Sequence, residues 1–508
     1  MADEDVPMGE WTQGASGHRT ARELFDLVCD PGTFRGWDGP IPATKRIASY
    51  AADLDRARAG TGADESVLTG EGVIRGHRVA LMACEFGFLG GSIGRDAARR
   101  LVAATERATA QRLPLLAGPA SGGTRMQEGT VAFTAMVGIS AAIARHKAAG
   151  LPYLVYLRHP VTGGVMSSWA SLGHVTAAEP GALLGFLGPR VYAAITGGRF
   201  PAGVQLAENL FAHGLIDAVV SPQALPRVVA RALAVLAAPW EPAIIKAPEY
   251  AEQRPPGAWE AVNRSRDPAR PGLRQLLRHA ATEVLPLNGT GQGEADHGLL
   301  LALARFGASP CVVIGHDRRS GHRGTPFGPA ALRQAQRGMR LSQELHLPLV
   351  SVIDTPGAEL SRASEEGGLS GEIARSLAEL MQLTSPTVSV ILGEGTGGGA
   401  LASLPADIVL CARHGWLAPL PPEGAAEILH RDLARAPEVA AGLGITANAL
   451  RDAGIVDRII PEFDDAADEP RAFCERAGHE VQLALATLRR IPAAQRLATR
   501  LSRYQPLV

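Results

Sequence analysis

The sequence predicts an α/β protein built from two homologous domains in tandem, and three observations carry that expectation. Sliding the second half back by 234 positions superimposes Val79 on Val313, Pro114 on Pro348, Gly123 on Gly357, Pro152 on Pro386, Thr162 on Thr396 and Gly181 on Gly415, without a gap. Short apolar runs alternate with helical stretches in both halves, the pattern of a mostly parallel, buried sheet. The apolar runs end in glycine loops: Pro119-Ala-Ser-Gly-Gly123 and Thr162-Gly-Gly164 in the first copy, Ile353-Asp-Thr-Pro-Gly357 and Thr396-Gly-Gly398 in the second. Such strand ends are where α/β proteins place ligands.

Taken in order, Glu23 to Ala59 reads as a short helical lead-in, and Gly72 to Cys84, β-branched around Gly76, reads as a hairpin. A helix from about Arg95 to Gln111, a strand at Leu115 to Ala117, a helix from about Gly129 to Ala149, a strand at Tyr153 to Leu157 and a helix after Gly164 follow. The copies end at Gly214 to Val220 and Gly454 to Ile460, where the offset has grown to 240, an insertion of about six residues. The Pro/Arg-rich stretch 239–272 reads as a linker stiffened by proline. Beyond it, Leu273 to Leu285 reads as a helix and Pro310 to Ile314 as a strand. Pro470 to Leu501 has apolar residues at helical spacing and reads as a terminal helix. The expected division is therefore 1–60, an N-terminal segment and lead-in; 61–238, the first domain; 239–272, the linker; and 273–508, the second domain.

Bulk properties exclude several function classes. Lys and Arg number 50 against 51 Asp and Glu, a net charge of −1, so general electrostatic affinity for nucleic acid or membrane is not expected. Cys29, Cys84, Cys311, Cys411 and Cys474 show no C-x-x-C spacing, which argues against a zinc ribbon or a disulfide framework and for a reducing cytoplasm. No metal site is expected: His146, His159, His174, His213 and His414 lack ligand spacing. Residues 1–20 lack the apolar core of a signal peptide, and no apolar run of about 18 residues occurs.

The glycine loops carry the chemistry. Phe86 to Gly94, with Gly90 and Gly91, offers successive backbone N–H groups just before a helix, suited to a phosphate, carboxylate or thioester oxygen. Ser121-Gly-Gly123, between a strand and a helix, leaves amides uncovered as an oxyanion hole needs. Gly393 to Gly398 formally matches G-x-G-x-x-G, but Pro160 to Gly164 in the first copy does not, and no lysine stands in the Walker position. Gly90-Gly-Ser-Ile-Gly94 formally matches a nucleophile elbow, yet the second copy puts Pro326 where Ser92 stands. Amide-rich loops without an evident acid, base, nucleophile or metal suit chemistry that stabilises an oxyanion and draws its base from a cofactor or substrate.

The residues Phe86 to Gly94, Ala120 to Glu128, Thr162 to Ser168 and Glu179 to Arg190 resemble the β subunit of bacterial acetyl-CoA carboxylase carboxyltransferase. Ile353 to Ala358, Glu365 to Arg375, Gly393 to Ala400 and Pro422 to Gly424 resemble its α subunit. The resemblance covers about residues 70 to 465, β before α, and implies two crotonase-like domains that move carboxylate from N1-carboxybiotin to an acyl-CoA. It implies a first domain that takes the CoA thioester, with the amides of Gly122 and Gly123 on the enolate oxygen. The second would take biotin, with the amides of Ile373 and Ala374 on the ureido oxygen. Gly90, Gly91, Ser121, Gly163, Gly164, Gly357, Gly397, Gly398 and Gly399 would line the two sites.

Biotin would arrive on a biotin carboxyl carrier protein, with ATP used by a separate biotin carboxylase. The family places each active site between the first domain of one protomer and the second of its partner, so a homodimer or larger homo-oligomer is implied. The product implied is malonyl-CoA from acetyl-CoA, for fatty-acid or polyketide synthesis. A malonyl-thioester decarboxylase, a carboxyltransferase for propionyl-CoA or longer acyl-CoA, and a non-catalytic scaffold are the rivals. The sequence departs from the β subunit in lacking its four-cysteine zinc ribbon, since Cys29 stands alone before Cys84. Arg264, Arg270, Arg318, Arg319 and Arg323 would either meet CoA phosphates or, the preferred reading, simply be solvated on a linker and loop.

Overall fold

A computed structural model describes residues 19–42, 46–237, 245, 250, 253–318 and 327–505. The chain divides into two compact units, Met1–Ala237 and Ala238–Val508.

The first unit is a seven-stranded sheet in the order β1-β2-β3-β4-β5-β7-β9. Its strands are β1 (Arg35–Gly36), β2 (Val67–Ile74), β3 (His77–Cys84), β4 (Leu115–Gly118), β5 (Tyr153–Leu157), β7 (Val175–Ala178) and β9 (Ala218–Val219). A separate pair, β6 (Val161–Thr162) and β8 (Leu184–Gly185), lies beyond the end of β5. β2 and β3 form a hairpin turned at Arg75-Gly76, and from β3 onward every pairing in the main sheet is parallel. The helices Arg95–Ala110 and Gly129–Ala148 bury Ala97, Leu101, Met136, Ile139 and Ile143 in one core with Met82, Ala117 and Val155. The helix Ala21–Val28 buries Leu24, Phe25 and Val28 at i, i+1 and i+4.

The second unit repeats this plan as β10 (Glu283–Leu287), β11 (Leu299–Phe306), β12 (Ser309–His316), β13 (Leu349–Thr355), β14 (Thr387–Thr396), β15 (Ile408–Ala412) and β17 (Arg458–Ile460). The short β16 (Trp416–Ala418) pairs with the end of β14. Helices Leu273–Ala280 and Pro470–Arg489 cover one face with Leu276, Leu277, Phe473, Ala477 and Val481.

Three local expectations change. The lead-in is two helices, Ala21–Val28 and Ala48–Thr61, around Pro31, Pro40 and Pro42. The helix expected to Leu285 stops at Ala280, because Val284 and Leu285 join β10 and pair with β11. The terminal helix is broken at Ile491-Pro492 into Pro470–Arg489 and Ala493–Ser502. The continuous described part of the expected linker, 253–272, folds onto the second unit: helix Ala258–Ser265 buries Ala261, Val262 and Ser265, and Trp259 packs near Ala440.

The duplication register is also corrected. Ala80 N–H donates to Pro114 O (2.9 Å) and Val312 N–H to Pro348 O (2.8 Å), so the hairpins match at an offset of 232 while the prolines keep 234. Val79 therefore corresponds to Cys311 and not to Val313. Two extra residues lie between hairpin and helix in the second copy. The offset of 234 holds from the bridge Ile93–Thr124, equivalent to Phe327–Ala358, through Thr162 and Thr396. It drops to 233 at β7 and β15, so Gly181 and Gly415 are not equivalent.

Candidate active site

Two glycine turns meet at the strand ends of the first unit. Ser121 N–H donates to Pro160 O (2.7 Å) and Thr162 N–H to Ser121 O (2.9 Å), which ties the turn after β4 to the start of β6. Gly123 has φ +110 and Gly163 φ +62, values that favour glycine. A Cβ on Gly123 would lie 3.1 Å from Gly164 N, so the two backbones pack with no side chain between them. Gly90 and Gly91 form a left-handed turn, and a Cβ on Gly91 would overlap the Ala120 carbonyl oxygen.

The second unit repeats the bond inside the turn, although Pro356 stands where Gly122 does and has no N–H to donate. Gly123 N–H donates to Ser121 Oγ (3.0 Å), and Gly357 N–H donates to Thr355 Oγ1 (3.1 Å). Gly357 has φ +121 and Gly397 φ +63. Short helices start at equivalent places, Gly163–Met166 and Gly397–Leu401.

Which amides are open to a ligand differs from the sequence expectation. Gly122 N–H is already bonded to Gly90 O (2.9 Å), and Gly123 N–H to Ser121 Oγ. Both expected donors of the first domain are thus engaged within the protein. Ile373 and Ala374 are the fifth and sixth residues of helix Leu369–Gln382, beyond the first four N–H groups that a helix leaves unpaired. Ile373 reaches the site by its side chain instead, since a Cβ on Gly398 would stand 2.7 Å from Ile373 Cδ1. Gly164 and Val165, and Gly398 and Gly399, are second and third in their short helices, among the N–H groups that a helix start leaves without an intrahelical acceptor. Among the described residues none of these four N–H groups donates to another protein group. Gly164, Gly398 and Gly399 are expected from the sequence only as lining, and Val165 is not among the expected site residues. The signal that could have found it is its equivalence to Gly399, two positions after the first glycine of each Thr-Gly-Gly motif.

Around each turn the side chains differ. In the first unit Arg125 is buried against Glu65, and Tyr50 donates to Glu128 Oε1. Burial opposes the Arg125 charge, but the bonds to Glu65 outweigh it and raise its pKa above the ordinary value. In the second unit Arg375 with Gln336 and Arg333 holds the Glu372 carboxyl down at about 2, against the opposing effect of burial. Burial raises Asp354, which faces Arg318 at 3.7 Å.

Of the arginines read as solvated, Arg270 and the side chain of Arg318 are buried in the second unit. Arg270 is 2% exposed and forks onto Glu462 (2.6 and 2.7 Å). Arg318 donates to Ser265 O (2.7 Å), and Arg264 to Asp464 O (2.7 Å). Arg264 keeps a side chain 35% exposed, so the solvated reading holds in part for it; Arg319, Arg323 and most of the Gly324–Gly328 loop lie outside the described residues. Ser92 Oγ donates to Leu89 O (2.8 Å) and accepts from Arg125 Nε (3.4 Å). Gly393 to Thr396 are part of β14 and form no phosphate loop. His174 Nδ1 accepts from Tyr153 N–H, His159 Nδ1 accepts from Leu183 N–H, and His414 meets Glu462 at 2.7 Å. All five cysteines are buried and free, and burial pushes Cys29 and Cys84 up to about 11. Among the described residues, no group of three or more His, Cys, Asp or Glu could hold a metal, and no helix is long and apolar enough to cross a membrane.

A family model described as "Carboxyl transferase domain" matches residues 12–498. A Mycobacterium tuberculosis protein named "Probable biotin-dependent acyl-coenzyme A carboxylase beta3 subunit" is 59% identical over 487 residues, covering 96% of this chain and 98% of its own. A Salinispora arenicola protein named "Acetyl-coenzyme A carboxylase carboxyl transferase subunits beta/alpha" is 36% identical over 517 residues, 97% of this chain and 91% of its own. Among solved structures, transcarboxylase 12S with methylmalonyl-coenzyme A bound matches with a TM-score of 0.70 at 23% identity, over 92% of this chain and 90% of that one. At that identity the match is one of fold, two crotonase-like α/β units.

Proposed function

The chain belongs to the carboxyl transferase domain family, as a biotin-dependent acyl-CoA carboxyltransferase, and we propose that its two units divide the reaction between two amide pairs. In this reading Gly164 and Val165 hold the thioester oxygen of the acyl-CoA, and Gly398 and Gly399 hold the ureido oxygen of biotin. The single observation that carries it is the pair of equivalent turns, each presenting two N–H groups without a protein acceptor. Two adjacent unpaired donors fit one oxygen that gains charge during the reaction.

Carboxybiotin, when bound, supplies the carboxyl group and afterwards the base for the acyl α-carbon. The chain's own part is electrostatic. As the α-proton leaves, negative charge grows on the thioester oxygen, and the fixed amides of Gly164 and Val165 stabilise it without reorganising. Removing one such donor typically costs roughly 2.7–4 kcal/mol. The Gly122–Gly123 turn acts as a floor beneath Gly163 and Gly164, and Ile373 packs against the Gly398 turn.

We take acetyl-CoA as the acceptor, on the name of the Salinispora relative, giving malonyl-CoA. The more similar Mycobacterium relative is named only for acyl-coenzyme A, so propionyl-CoA and longer acceptors belong in the same assay series. Biotin carboxylase and a biotin carboxyl carrier protein are the proposed partners, the cytoplasm the proposed location, and a homodimer or larger homo-oligomer the proposed assembly. Exposed Phe133, Val137, Phe186 and Ile195 in the first unit, and Ile428 and Leu429 in the second, support association.

The test runs the reaction backwards, giving purified protein malonyl-CoA or methylmalonyl-CoA with and without biocytin. Release of acetyl-CoA only with biocytin supports the proposal, and faster release from methylmalonyl-CoA moves the acceptor to propionyl-CoA. Release without biocytin would make the protein a decarboxylase, and silence with both substrates a scaffold.

A further inference from the structure

We propose that the buried ion pair Arg125–Glu65 positions the acyl-side turn, holding Gly122 and Gly123 where they support Gly163 and Gly164 and so aiming the Gly164 and Val165 amides. The inference rests on the function proposed for those amides. Arg125 lies two residues beyond Gly123, is 1% exposed and touches no open surface, so it acts through the turn and not on a ligand.

Every donor of its guanidinium is used. Nη1 donates to Glu65 Oε2 (3.0 Å) and Tyr50 Oη (3.4 Å). Nη2 donates to Glu65 Oε1, to Ser66 Oγ (2.9 Å) and to Ser92 O (2.7 Å), and Nε to Ser92 Oγ (3.4 Å). These acceptors come from three separate segments: the helix Ala48–Thr61, the two residues just before β2 and the Gly90–Ser92 turn. The same turns are zipped by backbone bonds, Gly122 N–H to Gly90 O (2.9 Å), Ile93 N–H to Gly123 O (2.9 Å) and Arg125 N–H to Ile93 O (3.0 Å). The side chain thus fixes both partners of that zipper. A Cβ on Gly94 would stand 2.8 Å from Arg125 Nη1, so the clamp also packs directly on the backbone that opens helix Arg95–Ala110.

Beyond the turn, the path to the amides is backbone on backbone. Gly123 faces Gly164 N, and a Cβ on Gly163 would stand 3.2 Å from Gly122 O. The contact between the two turns is thus backbone, while the Thr124 and Met136 side chains lie beside Gly164.

Stability alone is a weak reason for such a pair, because a buried ion pair is often no better than a well-packed apolar one. The second unit reaches the same turn without it: Glu359 stands at the equivalent position, and β14 runs unbroken from Thr387 to Thr396. In the first unit the corresponding strand is interrupted, β5 ending at Leu157 and β6 starting at Val161. The clamp stands where that strand continuity is missing.

The test uses the full chain as Glu65→Gln, Arg125→Lys and the pair Glu65→Met/Arg125→Met. Three readouts are taken: unfolding temperature, biocytin-dependent release of acetyl-CoA, and amide exchange of segments 119–128 and 160–168 against 353–362 and 394–402. Glu65→Gln and Arg125→Lys should each speed exchange about tenfold in both first-unit segments and leave the second-unit segments unchanged. Both should lower kcat by up to about 100-fold with KM for biocytin unchanged. The double Met variant should regain the unfolding temperature and neither the protection nor kcat. Recovery of kcat along with stability, or unchanged exchange at 160–168 in the folded single variants, would overturn the proposal. Exchange decides it even for a protein without turnover, in which case only the proposed function falls.

Discussion

In the first unit the turn at Gly122–Gly123 is gripped from the side, Arg125 reaching Glu65, Ser66 and Ser92. The equivalent turn at Pro356–Gly357 continues a ladder in which Thr355 still pairs with Gly395, and Arg333 and Gln336 tie helix Pro329–Leu345 through Glu372 to helix Leu369–Gln382, whose Ile373 packs against Gly398. The start of the helix that precedes each turn, Arg95–Ala110 or Pro329–Leu345, is treated differently as well. Glu128 accepts from Arg95 N–H (2.6 Å), whereas its equivalent, Arg362, is exposed in a pair with Glu366, and Asp296 accepts from Gly328 N–H (3.0 Å) instead. The duplication therefore kept the backbone that presents amides and let the side-chain supports diverge. Backbone donors keep their place while their supports are exchanged, so long as something fills each space.

The largest expected effect separates the two turns by what a side chain would strike. Gly123→Val sets a branched residue at φ +110 against the Gly164 backbone and should cost about 100-fold or more in biocytin-dependent release of acetyl-CoA. Gly398→Ala meets only the end of Ile373, which can rotate, and should cost at most about tenfold. Equal losses would break the comparison.

A second prediction concerns a size exchange between the units. Ile93 and Val165 in the first correspond to Phe327 and Gly399 in the second, where a Cβ on Gly399 would overlap the Phe327 ring. Gly399→Val should destabilise the protein by about 1–3 kcal/mol, and Phe327→Ile in the same chain should restore most of it. Thermal unfolding of the single and double variants measures both.

Smaller effects follow from the supports. Glu128→Ala removes the carboxylate at the start of helix Arg95–Ala110 and should cost about 1 kcal/mol. Glu372 has its folded pKa lowered to about 2 from an ordinary 4.5, so it stabilises the fold above that ordinary value and loses this as pH falls toward 2. The unfolding temperatures of wild type and Glu372→Gln should differ at pH 6 and converge as pH drops from about 4.5 to about 2; a constant gap would show that Glu372 acts by packing. Least of all, Arg362→Ala should shift stability by under about 0.5 kcal/mol in the same unfolding assay, since its partner Glu366 is equally solvated.

Much of the frame was legible beforehand. Strands at Leu115, Tyr153 and Pro310 and helices at Arg95 and Gly129 follow from apolar period and turn residues, and they stand within a few residues of expectation. The hairpin register was misread by two because Val79 and Val313 are interchangeable as letters, while the ladder to Pro114 and Pro348 distinguishes them. The amides expected from sequence at Gly122 and Gly123 are engaged, and the unpaired ones lie one turn away at Gly164 and Val165. Ser-Gly-Gly and Thr-Gly-Gly look equally suitable in sequence, and nothing local says that Gly90 O already takes the Gly122 N–H. Arg125 lies within the stretch Ala120 to Glu128, but nothing in the sequence near Glu65, 60 positions earlier, marks it as the partner.

By itself, then, the sequence determined the duplication, the alternation of strand and helix, and glycine turns at the strand ends, because each is a matter of local period, steric permission or repeated spacing. Only the tertiary structure decided which amides remain open and which buried charges hold the turns. An amide is free or engaged according to the carbonyl brought beside it, and a buried charge is tolerable only where a distant partner meets it.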